Sequence, residues 1–339
     1  MKLGFQLGYW GAQPTDFMPF VLEAERLGFD SVWSAEAYGS DAVTLITWAA
    51  ARTERIGVGS AVMQMPARSP AATAMTAITL DHLTGGRFRL GLGVSGPQVS
   101  EGWHGVPFEG PLQRTREYVE IVRTILRREK PLEFHGSHYD VPLQGGTGLG
   151  KPLKTIVHPL RSDLPIYLAA IGPKNIALTA EIADGWLPTF YAPAHASVFS
   201  EALEEGLGRA GKDRSQFDVA PFAPVLVGDD IQACRDLVKP MLALYVGGMG
   251  AKGKNFYNSL VGRYGYEAEA ATIQDLYLEG RKGEAAAAVP DALVDDVALV
   301  GPKERIAEQL QLWQEAGVDT LIAGAFQHEA LHALAEAAL

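Results

Sequence analysis

The chain has 339 residues, of which 47% are aliphatic or aromatic and 20% are charged, and its formal net charge is −11 at pH 7. It contains neither a long polar tract nor an apolar run approaching the roughly twenty residues of a membrane-spanning helix. Composition therefore excludes a disordered chain and a helical membrane protein, and the negative charge argues against a general surface for nucleic acid or for an anionic membrane.

The N-terminal sequence MKLGFQLGYW enters a predicted strand at once and lacks the basic, apolar and small-residue segments of a secretory signal. Cys234 is the only cysteine, which excludes an intrachain disulfide. Its helical spacing within IQACRDLV favours a packed thiol over a nucleophile. Both features predict a protein of the cytoplasm.

Strand and helix patterns alternate along the chain. Apolar runs with β-branched residues predict the strands, and apolar residues at helical spacing predict the helices. The predicted strands span 2–7, 31–34, 56–62, 88–93, 165–169, 185–187, 219–227 and 320–323. The predicted helices span 16–27, 41–52, 71–83, 113–128, 174–183, 195–210, 231–245 and 305–316. This alternation predicts a (β/α)8 TIM barrel, an α/β fold formed by one domain over residues 1–339.

Two segments interrupt the alternation. Residues 129–163 are rich in Gly, Pro and His, and we expect an insertion with its own hairpin rather than an interdomain linker, because the βα pattern resumes unchanged. Residues 250–290 are expected to form a second, helical insertion.

The segment 56–97 predicts a strand, a helix and a second strand, with loops at the carboxyl ends of two neighbouring strands. In α/β barrels that edge is where ligands bind. Glu36 follows the strand 31–34 at the same edge. It is therefore a candidate catalytic carboxylate or, equally, a carboxylate of the rim.

Aromatic residues follow two further strands at this edge. Tyr9 and Trp10 come after the first strand, and Trp103 and His104 come after the fourth. They are candidate walls of a substrate pocket, although the packing of loops would explain them nearly as well.

Two glycine-rich turns are candidates for phosphate binding. In GLGVSG, residues 91–96, the pattern is only superficially that of a dinucleotide site, because we expect Pro97 to prevent a helix from starting at once. In AAIGPKN, residues 169–175, a strand passes within two residues to a helix that opens on Pro173. The N–H groups of Lys174 and Asn175 are then expected to face an anion, although a plain barrel turn would have the same sequence.

Signals for metals and nucleophiles are poor. His135 and His138 lie in a GSHYD turn without carboxylates in a ligand pattern, and we expect them to be solvated. Asp81 and His82 lie near the end of a helix, where capping or solvent exposure is expected. No HExxH, paired CxxC or GxSxG motif occurs, so we expect no metal site.

Four segments together carry a family resemblance: GFDSVWSAE at 28–36, ARSPAATAMTAITLDHLTGGRFRLGLG at 67–93, LPIYLAAIGPKNIALTAEIADGWL at 164–187 and LVGPKERIAEQL at 299–310. The chain resembles the bacterial luciferase-like superfamily, and within it the coenzyme F420-dependent branch that includes methylenetetrahydromethanopterin reductase. The resemblance covers nearly the whole chain. It implies a TIM barrel that binds the deazaflavin at its carboxyl-terminal face.

The resemblance also implies a cofactor site. The peptide bond Ala61–Val62 would be cis and lie against the ring, and Val94, Ser95 and Gly96 would contact the cofactor, as would Glu36. The ring edge and phosphate would be received by a turn made of Ala169, Ala170, Ile171, Gly172, Pro173 and Lys174.

One departure from the family argues against one of its reactions, the oxidation of sugar phosphates. Sugar-phosphate dehydrogenases of this branch have an acidic residue followed by a histidine at the end of strand two, where this chain has Glu36 and Ala37. They also have a glutamate after strand four, where this chain has Gly96 and Pro97. Both acid–base groups of that chemistry are therefore missing.

We accordingly expect an F420-dependent oxidoreductase that transfers a hydride between the deazaflavin and a small molecule such as an activated alkene, imine or carbonyl. Glu36, His104 or Tyr9 would supply a proton where one is needed. The alternatives are an FMN-dependent monooxygenase on the same barrel and a non-catalytic protein that binds flavin or deazaflavin.

The resemblance further implies a homodimer that packs the second and third helices of the barrel. The third helix carries four small residues, which suit either a second subunit or the barrel wall: Ala71, Ala72, Ala74 and Ala77.

Overall fold

A computed structural model describes all residues from 1 to 339. The strands are β1 (Lys2–Gly8), β2 (Ser31–Ser34), β3 (Gly57–Ser60), β4 (Met63–Gln64), β5 (Phe88–Gly93), β6 (Phe134–His135), β7 (Asp140–Val141), β8 (Ile166–Leu168), β9 (Gly185–Trp186), β10 (Asp218–Val219), β11 (Phe222–Val227), β12 (Leu299–Gly301) and β13 (Thr320–Gly324).

The helices are α1 (Met18–Leu27), α2 (Ala42–Ala50), α3 (Pro70–Leu83), α4 (Pro97–Gly102), α5 (Pro111–Arg127), α6 (Pro173–Ile182), α7 (Ser197–Ala210), α8 (Ile231–Ala243), α9 (Phe256–Arg263), α10 (Glu267–Leu278), α11 (Lys282–Ala287), α12 (Asp291–Val297), α13 (Lys303–Glu315) and α14 (His328–Ala338). Short 3₁₀ helices cover Met65–Ala67, Pro193–His195 and Arg214–Gln216, and a π-helix covers Leu244–Gly248.

Eight parallel strands close into a barrel. The sheet runs through β9, β8, β5, β3, β2, β1 and β13. The segment containing β10 and β11 is the eighth strand of the barrel. It closes the sheet, because β10 pairs with β9 and β11 pairs with β13. The structure confirms the (β/α)8 barrel that the alternating pattern predicted.

Small residues and one large side chain fill the barrel interior. Trp33 on β2 is fully buried and packs edge-on against Tyr167, with ring centroids 5.3 Å apart. Gly4 on β1 and Gly59 on β3 lie on the two strands beside it, and a Cβ on Gly59 would lie 2.5 Å from the indole. The indole therefore requires glycine on the neighbouring strand.

The amino-terminal end of the barrel is closed by polar side chains that bind one another. Arg89 Nη1 lies 2.5 Å from Asp30 Oδ2. The Tyr167 hydroxyl donates to Asp218 Oδ2 over 2.9 Å, and Thr320 Oγ1 lies 3.1 Å from the same oxygen. Burial raises the pKa of Asp218. Ligands of α/β barrels bind at the opposite, carboxyl-terminal end, which we call the mouth.

The first of the two segments that interrupt the alternation, 129–163, contains a hairpin of β6 and β7, in which Phe134 pairs with Val141, as predicted. His135 in this hairpin is half exposed, and its Nδ1 lies 2.5 Å from Asp140 Oδ1. The second insertion consists of α9, α10 and α11, which follow the π-helix.

Several local predictions need correction. The predicted strand 56–62 ends at Ser60, and the predicted strand 219–227 divides at Ala220 and Pro221. Pro97 does not interrupt the chain: it is the first residue of α4, because proline at the first helical position loses only an N–H that would be unpaired there. The C-terminal helix α14 and the short strand β12 were missed.

The prediction for Asp81 was also wrong, whereas His82 is exposed as expected. Asp81 is 1% exposed and is bound by the guanidinium group of Arg161, with Nε 3.1 Å from Oδ2. His82 Nε2 lies 2.8 Å from the carbonyl oxygen of His158. These contacts attach the first insertion to the end of α3. Cys234, by contrast, is buried on α8 as a packed thiol, as predicted.

None of the helices combines the length and the apolar character that a bilayer crossing requires.

Candidate functional site

The floor of the mouth is small and apolar. The Ala61–Val62 peptide bond is cis, as the resemblance predicted. Ala61, Val62 and Ala169 are half-buried and pack on the interior cluster that contains Trp33. A Cβ on Gly93 would lie 2.7 Å from Val62 Cγ2 and 3.8 Å from Ala169 Cβ. Any larger residue at position 93 would therefore displace the Val62 side chain. The floor has the shape and chemistry to receive one face of a flat ring.

The turn that follows β5 borders this floor. Ser95 adopts a left-handed conformation with φ of 62°, which is uncommon for a residue with a Cβ and is concentrated at functional sites. The amide N–H groups of Ser95 and Gly96 donate to no protein acceptor. Val94, Ser95 and Gly96 therefore present a half-buried side chain and free donors to the mouth.

The turn that follows β8 holds a larger set of free donors. The amides of Ile171, Gly172 and Lys174 have no protein acceptor. Gly172 caps α6 without a side-chain hydrogen bond, and a Cβ there would meet nothing within 4 Å. Ala170, in contrast, is buried, and its carbonyl accepts the indole N–H of Trp186 over 2.9 Å.

One detail of the predicted anion turn was wrong. The Asn175 N–H donates to the carbonyl of Gly172 over 2.9 Å, so it does not face outward as expected. Lys174 is exposed, and Pro173 occupies the first helical turn. Because free amides and a lysine meet at the positive end of a ten-residue helix, the turn can accept an anion.

A second cation reaches the same turn from the second insertion. Arg263 on α9 donates from Nη2 to the Ile171 carbonyl over 3.2 Å, and it forms none of the ion pairs of the chain. Burial lowers the pKa of its guanidinium group, because the charged form loses hydration. Arg263 therefore adds a positive charge beside Lys174 that has no carboxylate partner.

Glu36 lies at the mouth, but both of its oxygens are already bound. Oε1 accepts the backbone N–H of Gln64 over 2.8 Å and a bond from Arg68. Oε2 accepts Arg68 Nη2 over 3.0 Å and the Ala42 N–H over 3.2 Å. The carboxylate is 7% exposed. This geometry makes Glu36 a group that positions the loops after β2 and β3.

Arg68 is held by two carboxylates, because Asp41 binds it as well as Glu36. Burial acts to lower the pKa of Arg68, but the hydrogen bond to Glu36 and the charges of both carboxylates outweigh it and raise this pKa. The cluster is thus a fixed ion pair at the edge of the mouth.

His104 is linked to the same cluster through Gln64. Its Nε2 lies 3.0 Å from Gln64 Oε1. Gln64 Nε2 donates to the carbonyls of Glu36 and Ala37 over 2.9 and 2.8 Å. The structure thereby brings Glu36 and His104 to one side of the mouth with Gln64 between them.

The three remaining candidates lie on outer loops. Trp103 is 66% exposed at the end of α4, so it covers the rim rather than the floor. Trp10 is half-buried, its indole N–H donating to the Thr15 carbonyl over 2.8 Å. Tyr9 is 40% exposed, and burial, with Tyr38 beside it, raises the pKa of its phenol.

Sequence reasoning missed Arg68, Gln64 and Arg263. Gln64 and Arg68 follow the strand β3 at the ligand-binding edge, and that position could have marked them as candidates. Arg263 comes from a helical insertion, and nothing in the sequence places it beside the turn after β8.

Comparison with known proteins identifies the family. Residues 4–320 match the model of the luciferase-like monooxygenase family. A protein of Mycobacterium tuberculosis, named provisionally as a coenzyme F420-dependent oxidoreductase, is 51% identical over 99% of this chain and 98% of its own. The 5,10-methylenetetrahydromethanopterin reductase of Archaeoglobus fulgidus is 30% identical over 90% of this chain and 88% of its own.

A solved structure supports the same fold. The coenzyme F420-dependent tetrahydromethanopterin reductase of Methanopyrus kandleri superposes with a TM-score of 0.83 at 23% identity, covering 99% of this chain and 97% of that chain. The barrel expected from the family resemblance is thus the observed one.

Proposed function

The chain belongs to the luciferase-like monooxygenase family, and on that premise we propose that it is a coenzyme F420-dependent oxidoreductase acting on a small organic substrate. The observation that carries the proposal is the 51% identity, over almost the full length of both chains, to the mycobacterial protein named for this cofactor. The deazaflavin, when bound, supplies a hydride, which carries two electrons.

The mouth fits such a cofactor. The level floor of Ala61, Val62, Gly93 and Ala169 can hold one face of a planar ring. The free N–H groups of Ile171, Gly172 and Lys174, together with the adjoining cations, can hold a phosphate group. Val94, Ser95 and Gly96 would lie alongside the ring. Glu36 would act through Arg68 and Gln64, which fix the loops around the floor.

Binding of the purified protein to F420 and to FMN, followed by fluorescence, tests this proposal. We expect saturable binding of F420 at one site and weak or absent binding of FMN. An Ala169→Leu variant should lose F420 binding, because the longer side chain would occupy the floor. The matched variant Ala210→Leu, at an exposed helix end, should bind as the wild type does.

The two alternatives give different results in the same experiment. Tight FMN binding without F420 binding would overturn the proposal in favour of a flavin-dependent monooxygenase. F420 binding without turnover across a panel of enones, imines and carbonyls would instead indicate a non-catalytic binding protein.

The surface supports a homodimer formed by α2, α3 and the first insertion. Five apolar side chains on these elements are at least half exposed: Trp48, Met75, Leu83, Ile156 and Leu160. The contact between His82 and His158 holds the insertion beside the end of α3, and Leu160 lies against the turn at Gly86 that follows this helix. Apolar patches of this kind mark protein interfaces.

The small residues of α3 divide between the two roles. Ala74 and Ala77 are buried against the barrel, whereas Ala71 and Ala72 face outward. Light scattering should give twice the mass of one chain. Met75→Glu should yield a monomer, and Leu237→Glu, which changes an equally exposed side chain on α8, should not. A monomeric wild type would contradict the dimer.

We also assign the protein to the cytoplasm, since its single cysteine is a buried free thiol that suits a reducing compartment. Fractionation of producing cells should recover it with cytoplasmic markers.

A further inference from the structure

Tyrosine hydroxyl groups in this chain fall into two sets. Five of the eleven tyrosines use their hydroxyl in a hydrogen bond to a named protein atom, and they are Tyr118, Tyr167, Tyr191, Tyr264 and Tyr266. Four of the other tyrosines lie together at the mouth, and their hydroxyl groups form no hydrogen bond to a protein atom. We call these four the phenol cluster: Tyr9, Tyr38, Tyr245 and Tyr257.

The cluster is a packed aromatic wall. The rings of Tyr245 and Tyr257 meet edge to face, with centroids 4.9 Å apart, and Phe190 contacts both, at 5.4 and 5.7 Å. The loop that carries Tyr38 closes against Tyr9, since a Cβ on Gly39 would lie 3.0 Å from Tyr9 Cδ2. The wall therefore joins the loop after β1 to the second insertion.

The backbone around the cluster is irregular in a way that is typical of binding sites. Tyr245 lies in the π-helix Leu244–Gly248, and π-helical turns are frequent at functional sites. Phe190 adopts a left-handed conformation with φ of 57° although it is fully buried and bulky.

Asn255, which is 2% exposed, connects the two tyrosine-bearing segments. Its Nδ2 donates to the carbonyls of Tyr245 and Val246 over 2.9 and 3.0 Å. Its Oδ1 accepts the N–H of Tyr257 over 2.9 Å. One buried amide thus holds together the backbone of the two segments that carry these rings.

The hydroxyl groups of Tyr245 and Tyr257 remain protonated at neutral pH and have no partner within the protein. Burial raises the pKa of Tyr245 to about 12, and burial raises that of Tyr257 as well. Neither hydroxyl oxygen is fully buried, although neither has a hydrogen-bond partner in the protein, so both keep some accessible surface. Each can therefore donate a hydrogen bond at neutral pH to a molecule lying there.

We propose that the phenol cluster is the substrate-recognition wall of the mouth, where Tyr245 and Tyr257 donate hydrogen bonds to the oxygen of an uncharged ketone or enone. This proposal rests on the proposed function, and it narrows the substrate class. A phenol O–H suits a carbonyl oxygen, and the aromatic faces suit an apolar body. The four side chains are uncharged as phenols, so the wall itself offers a substrate hydrogen bonds and aromatic surface but no countercharge.

The chemistry balances with these groups as donors. Reduction of a ketone by reduced F420 breaks the C=O π bond, forms a C–H bond with the hydride and leaves the electron pair on oxygen, which then takes one proton from solvent. Hydrogen bonds from two phenols stabilise the negative charge that develops on that oxygen. This stabilisation partly replaces that provided by the acid–base pair that this chain lacks.

Acetophenone and cyclohex-2-enone are suitable probes, with cyclohexanecarboxylate as the charged analogue. We expect both neutral probes to bind the wild type more tightly than the carboxylate does. The double variant Tyr245→Phe/Tyr257→Phe should bind them on the order of tenfold more weakly, since two neutral hydrogen bonds are lost. Tyr139→Phe, in the first insertion, is the control and should bind as the wild type does.

An infrared measurement separates a hydrogen bond from a merely structural role. The C=O stretch of bound acetophenone should lie at lower frequency in the wild type than in the double variant. Unchanged probe affinity or an unchanged C=O frequency in the double variant would overturn the proposal, and so would a wild type that binds neither neutral probe. F420 affinity, measured in parallel, should be the same in both proteins, and absence of F420 binding in the wild type would count against the proposed function alone.

Discussion

The two ends of the barrel use polar side chains in opposite ways. At the amino-terminal end, Arg89 binds Asp30, and the Tyr167 hydroxyl binds Asp218. At the mouth, the N–H groups of Ile171, Gly172 and Lys174 have no protein acceptor, and the hydroxyls of the phenol cluster have none either. A paired group contributes to the stability of the fold, whereas an accessible unpaired donor is available to a ligand. This difference assigns stability to one end and binding to the other.

One cluster at the mouth departs from this division. Glu36 and Arg68 are paired as completely as the groups at the closed end, although they border the binding floor. Their substitution should therefore affect stability and binding together, which no change at either end alone should do.

Arg68→Ala should have the largest effect. It leaves Glu36 buried without a countercharge, and breaking a buried ion pair in this way costs about 3–5 kcal/mol of the free energy of unfolding. F420 affinity should fall as well, because Glu36 no longer fixes the loops after β2 and β3. Urea unfolding and fluorescence titration measure the two effects.

Arg68→Lys is the control for that experiment. It keeps the charge but loses the forked geometry, so the loss of stability should be smaller. Wild-type stability in Arg68→Ala would show that the Glu36 cluster is not structural.

Arg89→Ala should lower stability without changing F420 affinity. Asp30 and Arg89 keep 26% and 20% of their side-chain surface exposed, so the expected loss is about 1–2 kcal/mol, less than for a sealed pair. Burial acts to raise the pKa of Asp30, but Arg89 outweighs it and holds this pKa below its ordinary value.

The pH dependence of this effect has a definite sign. A carboxyl group with a depressed folded-state pKa contributes stability above its unfolded pKa of about 3.9, and that contribution is lost as the pH falls. The gap between wild type and Arg89→Ala should therefore narrow in acid. An altered F420 affinity in Arg89→Ala would contradict the division between the two ends.

The sequence predicted the barrel because its strands and helices have distinct local patterns. Buried parallel strands are continuous apolar runs, and the helices have regular apolar spacing. The errors fall where the backbone departs from these patterns. The strand 56–62 stops at Ser60, before the cis Ala61–Val62 bond, and the strand 219–227 breaks at Ala220 and Pro221.

The site was only partly predictable, for a different reason. The turn at 169–174 is a local motif, in which Gly172 and Pro173 mark the start of α6 in the sequence itself. Arg68 lies 32 residues from its partner Glu36, and Tyr257 on α9 lies near Tyr9 only because the second insertion folds back toward the loop after β1. Contacts of this kind depend on the closed barrel, and no local spacing encodes them.

Lys174→Ala tests the binding end directly. Loss of one exposed charge-assisted contact should weaken F420 binding by about 1 kcal/mol, roughly fivefold, with the free energy of unfolding unchanged. Lys130→Ala removes an exposed lysine just beyond α5 and is the matched control. An unchanged F420 dissociation constant in Lys174→Ala would remove this lysine from the site.

Tyr257→Phe should have the smallest effect at neutral pH, because its hydroxyl binds no protein group. Tyr167→Phe, which removes the bond to Asp218 at the closed end, should lower the free energy of unfolding by about 1 kcal/mol under the same conditions.

At higher pH the stability of Tyr257→Phe relative to the wild type should change. The raised pKa of Tyr257 means that, above about pH 10, the unfolded chain releases this proton while the folded chain retains it, so wild-type stability falls with rising pH. Tyr257→Phe removes that penalty and should exceed the wild type by about 1 kcal/mol near pH 11. Equal losses from the two substitutions at neutral pH would show that the phenol at the mouth is as structural as the one at the closed end.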